Sequence, residues 1–219
     1  QLLCSPVDGL TLPTHSLLPL VMSRLLKGLF LLYNRLSIKG QENIPAQGPC
    51  ILAHNHQSYV DGAVVLSGIP REKLNEYFFY ATEDHVRSER RRRLAARSGV
   101  IIMERASLKD SILKLAKALR EGHRIIIFPE GARTHDGSTV PFKKTFAILA
   151  RELDIPIVPV CIRGAYEALP RGSAWLKPRH IEVTYLPAIK PSPDSSYDDL
   201  TRRTQDAIEA LLASMEMIS

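Results

Sequence analysis

Cysteine is scarce in this sequence: Cys4, Cys50 and Cys161 are widely spaced and form no CxxC pair. That excludes a disulfide framework and a zinc ribbon. Cys50 and Cys161 lie inside apolar runs, so they are expected in a core and in a reducing compartment. Long apolar runs are also missing. A spanning helix needs roughly 20 mostly apolar residues, and the best stretch, residues 17–36, is broken by Pro19, Arg24, Lys27 and Arg35. The opening lacks the basic start and small-residue cleavage site of a signal peptide. It begins at Gln1 without an initiator Met, as expected of a processed chain or part of a longer polypeptide. GxxxxGK[ST] occurs nowhere, which excludes a P-loop. There is no internal repeat and no low-complexity linker.

What is present is ordinary globular material, 45% hydrophobic and 24% charged over 219 residues, enough for one well-buried core. The formal charge of +6 and a pI near 9.3 suit an anionic partner: phospholipid headgroups, phosphorylated small molecules, coenzyme A or nucleic acid. No aromatic-interleaved basic motif points to nucleic acid.

Residues 1–16 read as an irregular lead-in, and residues 17–36 as an amphipathic helix. Leu18, Val21, Leu25, Leu29 and Leu32 fall on one broad face, with Arg24 and Lys27 placed to reach a headgroup layer. A helix packed on the domain itself is the alternative. From residue 50 onward short apolar strands alternate with longer helices. The strands are expected at 50–53, 77–81, 100–103, 124–128, 157–161 and 181–186. Their β-branched and aromatic content without polar alternation predicts a sheet covered on both faces. A helix is expected at 107–120, opened by a Ser107/Asp110 capping box, striped by Ile112, Leu115, Ala116 and Leu119, and stopped at Gly122. Another closes the chain at 197–215. The expectation is one α/β domain over 37–219, its sheet largely parallel or mixed and flanked by helices, preceded by the helical segment within 1–36.

The chemistry concentrates in two stretches. The first is Ala53-His54-Asn55-His56-Gln57-Ser58-Tyr59-Val60-Asp61, between a strand and an apolar run. A Ser58/Asp61 capping box would start the helix at Ser58 and leave His56 in the loop. Inside one regular helix the two residues would stand about 140° apart. From a loop, the ring can instead offer one nitrogen to the carboxylate and the other to substrate, as a histidine general base requires. Two plainer readings stand beside it: a loop histidine bonded to backbone, and a metal pair His54/His56, for which no third ligand is near. The second stretch is Ile125-Ile126-Ile127-Phe128-Pro129-Glu130-Gly131-Ala132-Arg133-Thr134. Pro129 ends the ladder, Gly131 permits a sharp turn, and Glu130 and Arg133 arrive at a strand's C-terminal end, where open α/β sheets carry their sites. The arginines from Arg87 to Arg97 form a third feature. On a helix Arg90, Arg93 and Arg97 share a face and Leu94 can turn inward, giving a solvated basic face or a contact for anionic lipid, coenzyme A or an acidic carrier protein.

Four blocks in order resemble the glycerophospholipid acyltransferase family: His56-x4-Asp61, residues 99–105 from Gly99 to Arg105, residues 128–133 as FPEGAR, and residues 157–160 as IVPV. The resemblance covers about residues 35–190. It implies an O-acyltransferase that takes a fatty acyl group from an acyl thioester, acyl-CoA or acyl carrier protein, to the hydroxyl of a lysophospholipid or related acceptor. It implies His56 as general base oriented by Asp61, with Arg105, Glu130, Gly131 and Arg133 on the acceptor and the arginines on its phosphate. No metal or bound cofactor is implied. Location at a membrane surface, peripheral and on the cytoplasmic side, is expected. The same chemistry on another alcohol or an amine, or a silent lipid-binding module, are the alternatives. Ala132 replaces the family's usual threonine and Thr145 stands where glycine is frequent, departures that bear on the acceptor rather than on His56 and Asp61.

Overall fold

Every strand in the middle of this chain carries apolar residues at successive positions, so both of its faces need cover. The computed structural model describes residues 10–15, 17–83, 86 and 88–216, and supplies that cover. Seven strands, β1 (Ser37–Lys39), β2 (Ile51–His54), β3 (Tyr77–Thr82), β4 (Val100–Met103), β5 (Arg124–Ile127), β6 (Ile157–Arg163) and β7 (Glu182–Tyr185), form one sheet in the order β1-β7-β6-β2-β5-β3-β4. All neighbours are parallel except β6 and β7, so the sheet is mixed.

Successive side chains alternate between the two faces. Ile51, Ala53, Ile125, Ile127 and Ile157 point to one core, against helices α4 (Leu108–Arg120), α5 (Thr145–Leu153) and α7 (Tyr197–Glu216) through Leu115, Leu119, Phe146 and Ile208. Leu52, Ile126, Val158, Val160 and Ile162 point to the other, against α1 (Leu17–Tyr33), α2 (Asp61–Ser67) and α6 (Ala165–Ala168) through Phe30, Val64, Val65 and Ala165. The short α3 (Glu89–Ala96) leads into the β4 edge. Cys50 and Cys161 are buried thiols, each pushed up to about 12 chiefly by burial. At the end of the sheet opposite the strand tips, Arg124 is fully buried. It donates to the carbonyls of Pro45, Ala46 and Gly48 and to Glu76 at 2.6 Å.

Several local expectations need correction. Helix α2 begins at Asp61, not Ser58, because the Ser58 hydroxyl donates to the Leu169 carbonyl at 2.8 Å instead of capping the helix. Ser107 precedes α4 but gives its hydroxyl to the Glu104 carboxylate and its N–H to the Glu104 carbonyl, so the expected capping box does not form. Leu94 is exposed and Ala95 is the residue of α3 that turns inward. Strand β1 carries one apolar residue among three and pairs with β7, so no local pattern announces it.

Helix α1 divides by face. Phe30 and Leu26 pack on the domain, whereas Leu25, Leu29 and Leu32 stay exposed, Leu32 at 87%. Among the described residues no helix is long and apolar enough to cross a membrane. Residues 1–9 with Cys4, the residue Arg87, and the side chains of Leu18, Val21 and Arg24 lie outside what the structure describes.

Candidate active site

The C-terminal ends of β2 and β5 lie side by side, and the loops leaving them bring the two chemical stretches together. His56 sits just past β2. Its Nδ1 is 2.8 Å from Asp61 Oδ2. The same oxygen accepts from the backbone N–H groups of Gln57 and Ser58, each at 2.7 Å. An oxygen that takes two N–H donors is an acceptor, so the hydrogen in the third contact belongs to His56 Nδ1. Nε2 then carries the lone pair. Burial raises the Asp61 carboxyl, while the hydrogen bonds from His56, Ser58 and Gln57 act against that rise.

Ring contacts fix the imidazole plane. Phe128 lies against His56 with centroids 3.9 Å apart and meets His54 edge-on at 4.0 Å. His54 is wholly buried, and both its ring nitrogens lack partners among the described residues. Burial first, then the nearby His56, lowers it to about 3, so it is neutral throughout the physiological range. Among the described residues no three His, Cys, Asp or Glu side chains gather as a metal site.

The backbone of His56 is held from both sides by the second stretch. Glu130 Oε1 accepts from His56 N at 2.8 Å, and Thr134 N donates to the His56 carbonyl at 2.9 Å. Glu130 Oε2 accepts from Val140 N at 3.2 Å. With both oxygens taken by backbone amides, Glu130 is 4% exposed and does not line the cavity in front of His56. Burial pushes its carboxyl up to about 7, against the two backbone hydrogen bonds. Gly131 does line the cavity. Its φ is +74°, a left-handed conformation that favours glycine, and the flexible end of Lys143 lies against it.

The cavity encloses about 420 Å³. Phe79, Tyr80, Met103 and Ile127 give it an apolar wall, His56 stands in it, and Arg91, Arg133 and Lys143 supply positive charge. Among the described residues no carboxylate lines it. The Arg133 guanidinium carbon lies 3.3 Å from the centroid of the Tyr59 ring. Arg133 Nη1 and the Tyr80 hydroxyl are buried and without partners among the described residues. Buried unpaired donors are costly, and a bound anion would relieve the Arg133 cost.

Of the six residues singled out in the sequence, His56, Gly131 and Arg133 line this cavity, Asp61 lies buried behind His56, and Glu130 holds the His56 backbone. Arg105 does not meet them. Its side chain is 71% exposed, with Nε 3.9 Å from Glu83 Oε1. Sequence reasoning missed Tyr59 and Lys143, and took Arg91 only as one member of the arginine run at 87–97. Tyr59 lies inside the His56-to-Asp61 spacer, and Arg91 falls off the face on which Arg90, Arg93 and Arg97 align. Lys143 is tied back to the second stretch by its backbone N–H on the Pro129 carbonyl at 2.9 Å. The Phe142-Lys143 pair downstream of Gly131 was the available signal.

Comparison with known proteins places this geometry in a family. Residues 35–163 match the family model described as Acyltransferase. A 1-acyl-sn-glycerol-3-phosphate acyltransferase of Limnanthes douglasii is 29% identical over 165 residues, covering 70% of this chain and 54% of the relative. A human 1-acyl-sn-glycerol-3-phosphate acyltransferase alpha is 24% identical over 189 residues, 84% of this chain and 65% of the relative. The chain thus spans about half the length of the plant relative it matches. The crystal structure of a 1-acyl-sn-glycerophosphate (LPA) acyltransferase from Thermotoga maritima superposes with a TM-score of 0.76 at 22% identity, covering 90% of this chain and 78% of that one, and shares the fold.

Proposed function

The chain belongs to the acyltransferase family, and from that membership we propose that it moves a fatty acyl group from a thioester to the hydroxyl of a lysophospholipid. The observation that carries the mechanism is the contact of His56 Nδ1 with Asp61 Oδ2 at 2.8 Å, which leaves Nε2 basic beside a cavity lined by cations. Nε2 takes the acceptor's hydroxyl proton as that oxygen attacks the thioester carbonyl. The tetrahedral intermediate collapses, the C–S bond breaks, and the imidazolium returns its proton to the leaving thiolate. Asp61 holds the tautomer and stabilises the transient imidazolium.

Arg133 is assigned to the acceptor phosphate, because a guanidinium offers a fixed fork to phosphate oxygens and Nη1 has no protein partner among the described residues. Lys143, beside Gly131, adds a second cation. Glu130 serves by holding the loop of His56, and Arg105 is not assigned to the acceptor. Either acyl-CoA or acyl carrier protein fits as donor, and no bound cofactor enters the chemistry. The exposed leucines of α1 support peripheral attachment to a membrane surface, and the cytoplasmic face is the side proposed.

The test is thiol release from a panel of acyl thioesters, with lysophosphatidic acid, uncharged alcohols and amines as acceptors. Acceptor-dependent release that is greatest with lysophosphatidic acid and lost in a folded His56→Ala variant is expected. Undiminished release by that variant refutes the mechanism, and equal use of an uncharged alcohol refutes the acceptor.

A further inference from the structure

The chain has one tryptophan, and it stands 83% exposed on the surface. Trp175 lies in the loop between α6 and β7. This loop is not loose. Tyr33 donates its hydroxyl to the Leu176 carbonyl at 3.2 Å, and the Asn34 amide donates to the carbonyls of Lys177 and Arg179 at 2.8 and 3.0 Å. The Ile181 N–H closes the set on the Asn34 carbonyl at 3.1 Å. Asn34 itself is fully buried, so one of the side chains that fasten the loop to the C-terminal end of α1 is shielded from water.

Both elements divide their apolar residues in the same way. Inward, Leu26 and Phe30 of α1 and Leu176 of the loop share one core. Outward, Leu25, Leu29 and Leu32 of α1 and Trp175 of the loop remain exposed. The charge around them is mostly basic, although Glu42, Glu167 and Glu182 flank it and Glu182 pairs with Lys39 at 3.0 Å. Residues 17–41 and 168–181 together contain seven Lys and Arg and no Asp or Glu. A protein partner is served by mixed charge and a shaped pocket. A lipid surface is served by an indole among leucines with an excess of cations nearby.

We propose that the Trp175 loop is a second lipid contact, entering the headgroup region of an anionic bilayer beside α1. The proposal rests on the reading of α1 as an interfacial helix and extends it to a part of the chain far away in sequence. The loop also begins at the site. Ser58 donates its hydroxyl to the Leu169 carbonyl at 2.8 Å, and Arg171 Nη1 meets His135 Nε2 at 2.8 Å. A bilayer that seats Trp175 therefore bears on a loop bonded to both segments that build the cavity.

The single indole makes the test direct. Intrinsic fluorescence of the full chain is recorded with vesicles of phosphatidylglycerol and of phosphatidylcholine, with bound protein measured by sedimentation. The expected result is a blue shift on phosphatidylglycerol and quenching by lipids brominated high on the acyl chain. Trp175→Ala, at an exposed position, is expected to weaken vesicle binding about tenfold, because burying an aromatic side chain is worth at least that factor. A chain that sediments with vesicles while Trp175 keeps its water-exposed emission overturns the proposal and leaves α1 as the anchor. A chain that ignores both vesicle types overturns both. A blue shift that grows with protein concentration and needs no lipid overturns it in favour of contact between copies. Thiol release is scored separately, so none of these outcomes is confused with failure of the acyltransferase reading.

Discussion

Replacing Asp61 by asparagine tests the site at its most constrained atom. Oδ2 accepts three hydrogen bonds, from His56 Nδ1, Gln57 N and Ser58 N, while Oδ1 is buried without a partner among the described residues. If the asparagine places its oxygen where Oδ2 stood, the three bonds survive but the NH2 group is buried with no acceptor. Each unsatisfied donor costs about 1–3 kcal/mol, and the charge that stabilises the imidazolium is gone. If the amide turns the other way, its NH2 faces two backbone N–H groups, and Nδ1 can bond only as an acceptor. The ring proton then moves to Nε2, which can no longer take the proton from the acceptor. A triad histidine held in the wrong tautomer loses about 10⁴ in kcat, which corresponds to about 5 kcal/mol of barrier. The expected result is a fall in kcat of about 10³ to 10⁴, measured by thiol release with lysophosphatidic acid, and an acceptor KM changed by less than about threefold. Thermal melting establishes that the variant is folded. A folded Asp61→Asn chain with kcat within about tenfold of the parent would refute both the tautomer argument and the assignment of Nε2 as base.

Arg133→Ala is expected to raise the KM for lysophosphatidic acid about 10- to 100-fold, the range for one or more charge-assisted bonds, with poor rescue by lysine. An unchanged KM in both variants removes Arg133 from the phosphate. The paired titrations of Glu130 and His54 give a prediction in pH. Glu130, raised to about 7 from 4.5, keeps a proton in the folded chain that the unfolded chain has lost, so its contribution to stability falls as pH rises from 4.5 to 7. His54, lowered to about 3 from 6.5, lacks a proton that the unfolded chain holds, so its contribution rises with pH across 3 to 6.5. The two slopes oppose each other where they overlap. Glu130→Gln should therefore leave urea-unfolding stability rising with pH between about 5 and 6.5, more steeply than the parent by up to about 1.4 kcal/mol per unit, and parallel profiles would rule this out.

The sheet was legible because its strands are short, β-branched and bounded by glycine or proline. The β4 limits agree with the pattern, and most others fall within one or two residues of it. Strand β1 was not legible, since its pairing is decided by β7 across the whole domain and not by anything within residues 37–39. The juxtaposition of His56 with Asp61 could be inferred from spacing and loop placement. The route was different, because Ser58 gave its hydroxyl to Leu169 and the carboxylate itself gathered the free amides of the turn. Nothing local says which serine a distant carbonyl will claim. Glu130 was noticed in the sequence for its charge, yet its use here is as an acceptor for two backbone N–H groups. Arg105 illustrates the opposite limit: a strand-end arginine in a matching block whose side chain is largely in solvent. Arg91 and Lys143 reach the cavity from segments whose approach only the folded chain defines.

Strand β1 follows α1 after a few residues and pairs with β7, Ser37 with Glu182, about 145 positions later. During synthesis at roughly 5–20 residues per second, that separation is a wait of about 7 to 30 s. Throughout it, Phe30 and Leu36 lack Ile181 and Val183, the partners they later share in one core. Until then α2 and the earlier strands of that core cover the inward side of α1 only in part. Completion of β7 withdraws that side into the protein and leaves Leu25, Leu29 and Leu32 outside. The nascent chain therefore has a wider adhesive surface than the finished one, and a ribosome-stalled fragment ending before residue 180 should hold to vesicles more tightly than the complete domain.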